Sequence, residues 1–188
     1  MAAKKKINYF DALYKVAKLV NASLDPARVL EDIARGVVEN MSVKACSLRL
    51  LDFTRNELHL RACWGLSSGY LRKGPILVSK SGLDQEAIRG RVVYIEDAQT
   101  DSRFQYKAQA KKEGIKSVLV VPLTLEGKTI GVLRIYSDRS QSFSKEDVKF
   151  MEAVASLSAI ALENARLHNS LKTEFDLLAA HTDRLDDN

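Results

Sequence analysis

The hydrophobic period of this chain changes twice, and that change constrains the fold more than any motif. Through residue 41 the apolar positions recur every three or four residues. From Lys44 they fall mostly on every second residue, and from Ser144 onward the longer spacing returns. A period near 3.6 marks one face of a helix, and a period of two marks one face of a strand. A 188-residue chain patterned this way is one α/β domain with helices at each end. A guide of about 150 residues per domain leaves room for that domain and a helical extension. No internal repeat and no Pro/Gly/Ser-rich linker divides it.

Phe10, Leu13, Tyr14, Ala17, Val20 and Leu24 predict one apolar stripe on a helix over 7–22. Asp25-Pro26 then supplies an N-cap and a proline at the first helical position of a second helix. That helix faces Leu30, Ile33, Val37 and Met41 inward. Strands follow over 45–52 and 57–64, around a turn at Thr54-Arg55-Asn56. Residues 65–74 form a polar, glycine-rich connection, and 76–79 a short extended piece. Ser81-x-x-Asp84 has the pattern of a capping box opening a short helix through Ile88. Another strand spans 91–96, a polar loop 97–104 and a short helix 104–113. Strands 117–125 and 129–137 meet at Glu126-Gly127-Lys128, a hairpin signal. Ser144-x-x-Asp147 caps a long final helix.

Charge and cysteine content narrow the chemistry. The tail 173–188 holds five acids (Glu174, Asp176, Asp183, Asp186, Asp187) against Arg184, so residues 1–172 carry +9 of a formal net +5. The basic residues are scattered singly without interleaved aromatics, which describes a solvated surface and not a nucleic-acid face. The longest apolar runs are far too short to cross a bilayer, and no hydrophobic signal segment follows Lys4-Lys5-Lys6. Cys46 and Cys63 make neither a disulfide framework nor a four-ligand zinc site and fit a reducing compartment, so the expected location is cytoplasmic.

The ordered blocks carry a resemblance. Ala45-Cys-Ser-Leu-Arg-Leu-Leu-Asp52, with Leu58-His-Leu-Arg-Ala-Cys-Trp-Gly-Leu66, is similar to the start of a GAF domain. Gly90-Arg-Val-Val-Tyr-Ile-Glu-Asp97 followed by Asp101-Ser-Arg-Phe104 resembles the middle of that family. Gly114-Ile-Lys-Ser-Val-Leu-Val-Val-Pro-Leu123, Gly131-Val-Leu-Arg-Ile-Tyr-Ser137, Phe143-Ser-Lys-Glu-Asp147 and Ala161-Leu-Glu-Asn-Ala165 continue it. The resemblance covers about 25–167, leaving an N-terminal helix over 1–24 and a helical extension with an acidic tail over 168–188. It implies an α+β sandwich whose central six-stranded antiparallel sheet has the terminal helices on one face. A pocket under loops and short helices would lie on the other, and the strand 129–137 would be central.

The resemblance names no cofactor, because the family binds chemically diverse ligands. The cyclic-nucleotide constellation is not recognisable, and no cysteine stands near 104–113 for a bilin. His59, His168 and His181 are poorly placed as haem ligands. Gly127-Lys128-Thr129 lacks the glycine of a phosphate-binding loop five residues before its Gly-Lys pair, where Pro122 stands.

Alternation puts Leu133 and Ile135 on one face of their strand and Val132, Arg134 and Tyr136 on the other. The matching positions of bilin-binding relatives face the ligand, and the same phasing adds Val118 and Val120. On the first strand Cys46, Leu48 and Leu50 suit the helix-covered face, leaving Ser47 and Arg49 for the pocket. With the last strand beside the first, Arg49 and Arg134 share a patch with Arg61 nearby. An anionic ligand, water, or an internal acid such as Asp97 or Asp101 must then meet them. The site expected is therefore Arg134 as anchor, with Tyr136, Arg49, Val118, Val120 and Asp97, and no metal ligands.

The expected role is a sensory or regulatory domain that binds a small anion, signals through its terminal helices and catalyses nothing. The alternatives are a dimerisation module with a degenerate pocket and, further off, a free methionine sulfoxide reductase. Cys46 and Cys63 bear on the last of these, and parity sets them on opposite faces. The expected partners are a second copy and a signalling protein. Leu157, Asn164, Leu171, Leu178 and Leu185 recur every seven residues, with Ile160 and Leu167 offset by three, as in a parallel coiled-coil seam. Whether the chain stands alone or belongs to a longer protein is left open by these residues.

Overall fold

The central strands are apolar on both faces, and both are covered. In the computed structural model, which describes residues 8–22 and 25–186, Leu119 and Val121 enter one hydrophobic layer and Val118 and Val120 another. The elements run α1 (Tyr9–Ala22), α2 (Pro26–Met41), β1 (Ala45–Asp52), β2 (Glu57–Trp64), α3 (Ser68–Leu71), β3 (Ile76–Leu77), α4 (Gly82–Ile88), β4 (Val93–Ile95), α5 (Lys107–Glu113), β5 (Ser117–Leu125), β6 (Lys128–Ser137) and α6 (Lys145–Asp186). The six strands form one antiparallel sheet in the order β3-β2-β1-β6-β5-β4, with β6 between β1 and β5 as anticipated. The fold is the α+β sandwich that the sequence implied.

On one face α1, α2 and α6 pack over Cys46, Leu48, Leu133 and Ile135. Asp25 caps α2 as expected, accepting from Ala27 N at 3.0 Å and Arg28 N at 3.4 Å. Leu30, Ile33, Val37 and Met41 are buried on it. The opposite face is covered by α3, α4, α5 and their connections, which bury Tyr70, Leu83, Phe104 and Ile115 over Val118, Val132 and Tyr136.

Two local devices set the phasing. The β5–β6 hairpin turns through Glu126 (φ 49°) and Gly127 (φ 78°), the paired positive φ values that match strand twist in a two-residue turn. At the β1–β2 pair the register slips: Leu48 faces Ala62, but Arg49 faces Leu60, so Arg61 is an extra residue. This bulge breaks the simple alternation expected for the second strand. Leu58 is buried on the α3–α5 side, Ala62 on the helix side, and Arg61 is exposed and takes no part in the patch. Beside the bulge, β6 passes so close that a Cβ on Gly131 would lie 2.2 Å from the Arg49 carbonyl oxygen.

Three further readings are corrected. The 65–74 connection contains the helix α3, which buries Tyr70. Ser81-x-x-Asp84 is not a capping box, because the Ser81 hydroxyl donates to the Asp84 carboxylate and makes no cap to the helix backbone. On α1 the buried positions are Ala12, Val16 and Val20, while Phe10 is 82 % and Tyr14 57 % exposed. The helix carries two apolar stripes, and the spacing alone merged them. Leu24 lies outside the described residues.

Candidate functional site

Sheet register assembles a charged cluster beneath α3, α4 and α5. Ser47 stands opposite Arg134 and Ala45 opposite Tyr136 in the β1–β6 pair, so Ser47, Arg49, Arg134 and Tyr136 share one face. Arg49 and Arg134 are each only 2 % exposed. Val118 and Val120 lie on that face within the apolar layer between α4 and the sheet.

Arg134 has an internal partner. Its Nε donates to Asp84 Oδ1 at 3.2 Å and its Nη2 to Asp84 Oδ2, and its guanidinium stands 5.8 Å from the centre of the Phe104 ring. Burial alone would lower the Arg134 pKa, but the adjacent Asp84 carboxylate outweighs it and the net direction is upward. The acid is thus Asp84, not Asp97 or Asp101. Asp97 accepts from Gln99 N at 2.9 Å and faces Lys116 at 3.8 Å, and Asp101 binds Arg103. Among the described residues, neither is one of the groups paired with Arg49 or Arg134.

Arg49 is not so matched. Its Nη1 donates to the Leu58 carbonyl at 3.3 Å, its Nε has no hydrogen-bond partner, and no ion pair reaches it among the described residues. Tyr136 Oη lies 3.1 Å from Ser47 Oγ, and the Tyr136 ring meets Tyr70 edge-on at 6.2 Å. Tyr70 Oη is also buried without a partner, and burial raises its pKa.

Lys73 completes the cluster. Its Nζ sits 3.7 Å from the Tyr70 ring centre and 5.5 Å from that of Tyr106, and donates to the Tyr70 carbonyl at 3.4 Å. Tyr106 is itself pinned by a 2.7 Å bond to the Pro75 carbonyl. Burial first, then the Arg49 and Arg134 charges, lower the Lys73 pKa to about 7. Glu113, the acid that acts on it in the opposite sense, is committed to Ser67 N at 2.9 Å and Ser67 Oγ at 2.5 Å.

The cluster therefore sets two guanidiniums and an amine against one fully buried carboxylate. Guanidiniums offer planar forks suited to carboxylate or phosphate, and an unpaired buried charge costs several kcal/mol. Sequence reasoning reached Arg49, Ser47, Arg134 and Tyr136 through strand phasing. It missed Asp84, Tyr70 and Lys73. The Ser81/Asp84 spacing was a visible signal assigned to the wrong partner, while nothing in the 65–74 pattern revealed Tyr70 and Lys73 as a pair.

Other groups are less organised. Cys46 is buried among apolar residues and its thiol pKa is pushed up by burial. Cys63 faces Ser47 on the other side of the sheet, and burial raises it too. Among the described residues no three His, Cys, Asp or Glu side chains gather as a metal site. An open groove of about 450 Å³ over the β1–β2 hairpin is lined by Leu50, Asp52, His59 and Arg61 and shares no residue with the charged cluster. No helix among the described residues is long and apolar enough to cross a membrane.

On α6 the predicted seam divides. Leu157 packs partly on the domain's own core, Asn164 is exposed, and Ile160, Leu167, Leu171 and Phe175 are exposed. The Leu178 and Leu185 side chains lie outside the described residues.

Comparison with known proteins agrees with this fold. The family profile described as GAF domain matches residues 23–163. The chain is 24% identical over 174 residues to the DNA-binding transcriptional activator HyfR of Escherichia coli K12; the match takes in 89% of this chain and 26% of HyfR, so the chain spans about a quarter of that relative. The GAF domain of a phosphoenolpyruvate-protein phosphotransferase from Coxiella burnetii superposes with a TM-score of 0.78 at 23% identity, covering 87% of this chain and 97% of that one. A free methionine-R-sulfoxide reductase from Neisseria meningitidis, solved with its substrate, superposes at 0.73 with 22% identity, covering 85% and 91%. Likeness at these identities shows the shared fold. GAF domains occur in sensor and regulatory proteins such as transcription activators, histidine kinases and chemotaxis proteins. On the extent of the profile match and the architecture together, this chain belongs to the GAF domain family.

Proposed function

We propose that this GAF domain is a sensory module that binds a small anion at Arg49 and Arg134 and passes the change through its terminal helices. The observation that carries the reading is Arg49: a nearly fully buried guanidinium with an unpaired Nε and no carboxylate partner among the described residues. An anion supplies the missing charge and acceptors. Because Asp84 already engages Arg134, Arg49 takes the anchoring role first expected of Arg134. Arg134, Tyr136, Ser47 and Tyr70 stand beside it as further donors.

The output surface is the exposed apolar stripe of Ile160, Leu167, Leu171 and Phe175 on α6, with Phe10 and Tyr14 on α1. Solvent exposure of so many large apolar side chains is unfavourable, and pairing with a second copy covers them. The paired helices then carry the signal to a partner protein. A purely dimerising role with no ligand draws on the Arg134–Asp84 pair, which needs no anion, but it leaves Arg49 unexplained. Catalysis of the sulfoxide-reductase kind is disfavoured by Cys46 and Cys63 lying on opposite faces.

Calorimetric and thermal-shift titration with sulfate, oxalate and acetate tests the ligand reading. Wild-type protein is expected to bind at least one and gain thermal stability, and Arg49→Met to lose the response. Equal stabilisation of both proteins removes Arg49 from the site.

A further inference from the structure

We propose that the anion site selects a short carboxylate with a second acceptor beside it, an oxo carboxylate, and rejects the corresponding amino acid. This inference rests on the anion-site reading above and names the ligand class of that site.

Sheet register and ring contacts bring the donors together. Ser47 faces Arg134 and Arg49 faces Val132 across the β1–β6 pair, so the two arginines are diagonal neighbours on one face. Diagonal positions are roughly 7–8 Å apart, within reach of long side chains. The Tyr136 hydroxyl lies 3.1 Å from Ser47 Oγ, and the Tyr136 ring meets the Tyr70 ring edge-on at 6.2 Å. Tyr70 therefore covers the same part of the sheet, at 3 % exposure and with its hydroxyl unpartnered. Arg49 Nε and Tyr70 Oη are the two buried groups left over on this face, and both can donate.

Acceptors are already taken. The Asp84 oxygens receive Arg134 Nε, Arg134 Nη2 and the Ser81 hydroxyl. Glu113 receives Ser67 N and Ser67 Oγ. The Leu58 and Tyr70 carbonyls receive Arg49 and Lys73. A carboxylate on Arg49 and a carbonyl oxygen on the adjoining carbon together satisfy both leftover donors. An ammonium on that carbon would stand beside guanidiniums with no uncommitted carboxylate in the cluster to receive it, among the described residues. Burial of both arginines favours a ligand of few heavy atoms.

Pyruvate, propionate and L-alanine test this, because they share a three-carbon carboxylate and differ at the second carbon: oxo, methylene and ammonium. Calorimetry of the full chain at pH 7 should find pyruvate bound about tenfold more tightly than propionate, the worth of one buried hydrogen bond. L-Alanine should bind about a hundredfold more weakly than pyruvate, or worse. Tyr70→Phe, which keeps the ring, should bind pyruvate and propionate alike, and Arg49→Met should bind neither.

Alanine or propionate binding as tightly as pyruvate to the wild type overturns the inference and leaves the anion site standing. So does binding of sulfate, oxalate or acetate without pyruvate. A pyruvate preference retained in Tyr70→Phe also overturns it, since the second donor is then another group. Failure of all these anions to bind overturns both readings. The wild-type ratios alone decide the selectivity should Tyr70→Phe fail to fold.

Discussion

Replacing Asp84 with asparagine keeps its volume and removes its charge, which isolates the worth of the Arg134 pair. Both partners are buried, Arg134 at 2 % exposure and Asp84 at 0 %. The carboxylate accepts from Arg134 Nε and Nη2 and from the Ser81 hydroxyl. Breaking such a pair by removing one member leaves a charge in the interior, at a cost of about 3–5 kcal/mol. That is a large share of the roughly 5–15 kcal/mol that holds a domain folded. At about 2–4 °C per kcal/mol for a chain of this size, the melting temperature should fall by roughly 6–20 °C.

Urea unfolding followed by circular dichroism measures the loss directly. The double variant Asp84→Leu with Arg134→Met should recover most of it, because replacing a whole buried pair with apolar groups is often neutral. Sulfate should stabilise Asp84→Asn more than wild type, since it supplies the negative charge that Asp84 no longer sets beside Arg134. A loss below about 1 kcal/mol in Asp84→Asn would mean that Arg134 finds water or another partner, and the reasoning from burial fails.

Other substitutions probe separate features. Lys73→Met should stabilise the protein in anion-free buffer, more at pH 6 than at pH 9.5. The folded pKa of about 7 lies below that of an unfolded lysine, so the unfolded state binds more protons between the two values and wild-type stability rises with pH there; urea titrations at both pH values that gave equal gains would contradict it. Gly131→Ala should cost about 3 kcal/mol or prevent folding, because its Cβ would meet the Arg49 carbonyl at 2.2 Å; an unchanged unfolding midpoint would show that β1 yields easily. Sedimentation equilibrium should find a dimer for the full chain at tens of micromolar and a monomer when it ends at residue 169. Persistence of the dimer in the shorter chain would assign pairing to the α1 stripe and the early turns of α6. Non-reducing peptide mapping should find Cys46 and Cys63 unbridged, since their Cβ atoms lie on opposite faces of the sheet.

Period and turn chemistry were enough to lay out the framework, because both act locally. The Asp25-Pro26 start of α2, the Glu126-Gly127 turn and the two-sided apolar character of 118–121 each depend on residues adjacent in the chain. The order of strands followed from the resemblance to GAF domains. The phasing of β1 and β6 likewise puts Arg49, Ser47, Arg134 and Tyr136 on one face from the alternation of residues alone. What remained depended on contacts between residues distant in sequence. Asp84 pairs with a residue 50 positions away, and its short spacing to Ser81 looks the same whether it caps a helix or receives an arginine. The bulge at Arg61 is a property of two strands and leaves no mark on either alone. Lys73 has an ordinary sequence context, and only the folded chain sets its amine over the Tyr70 ring and near that of Tyr106. Alternation along a strand reports direction only; burial and partnership are set by what folds back on top, and in this chain only the tertiary structure decided that.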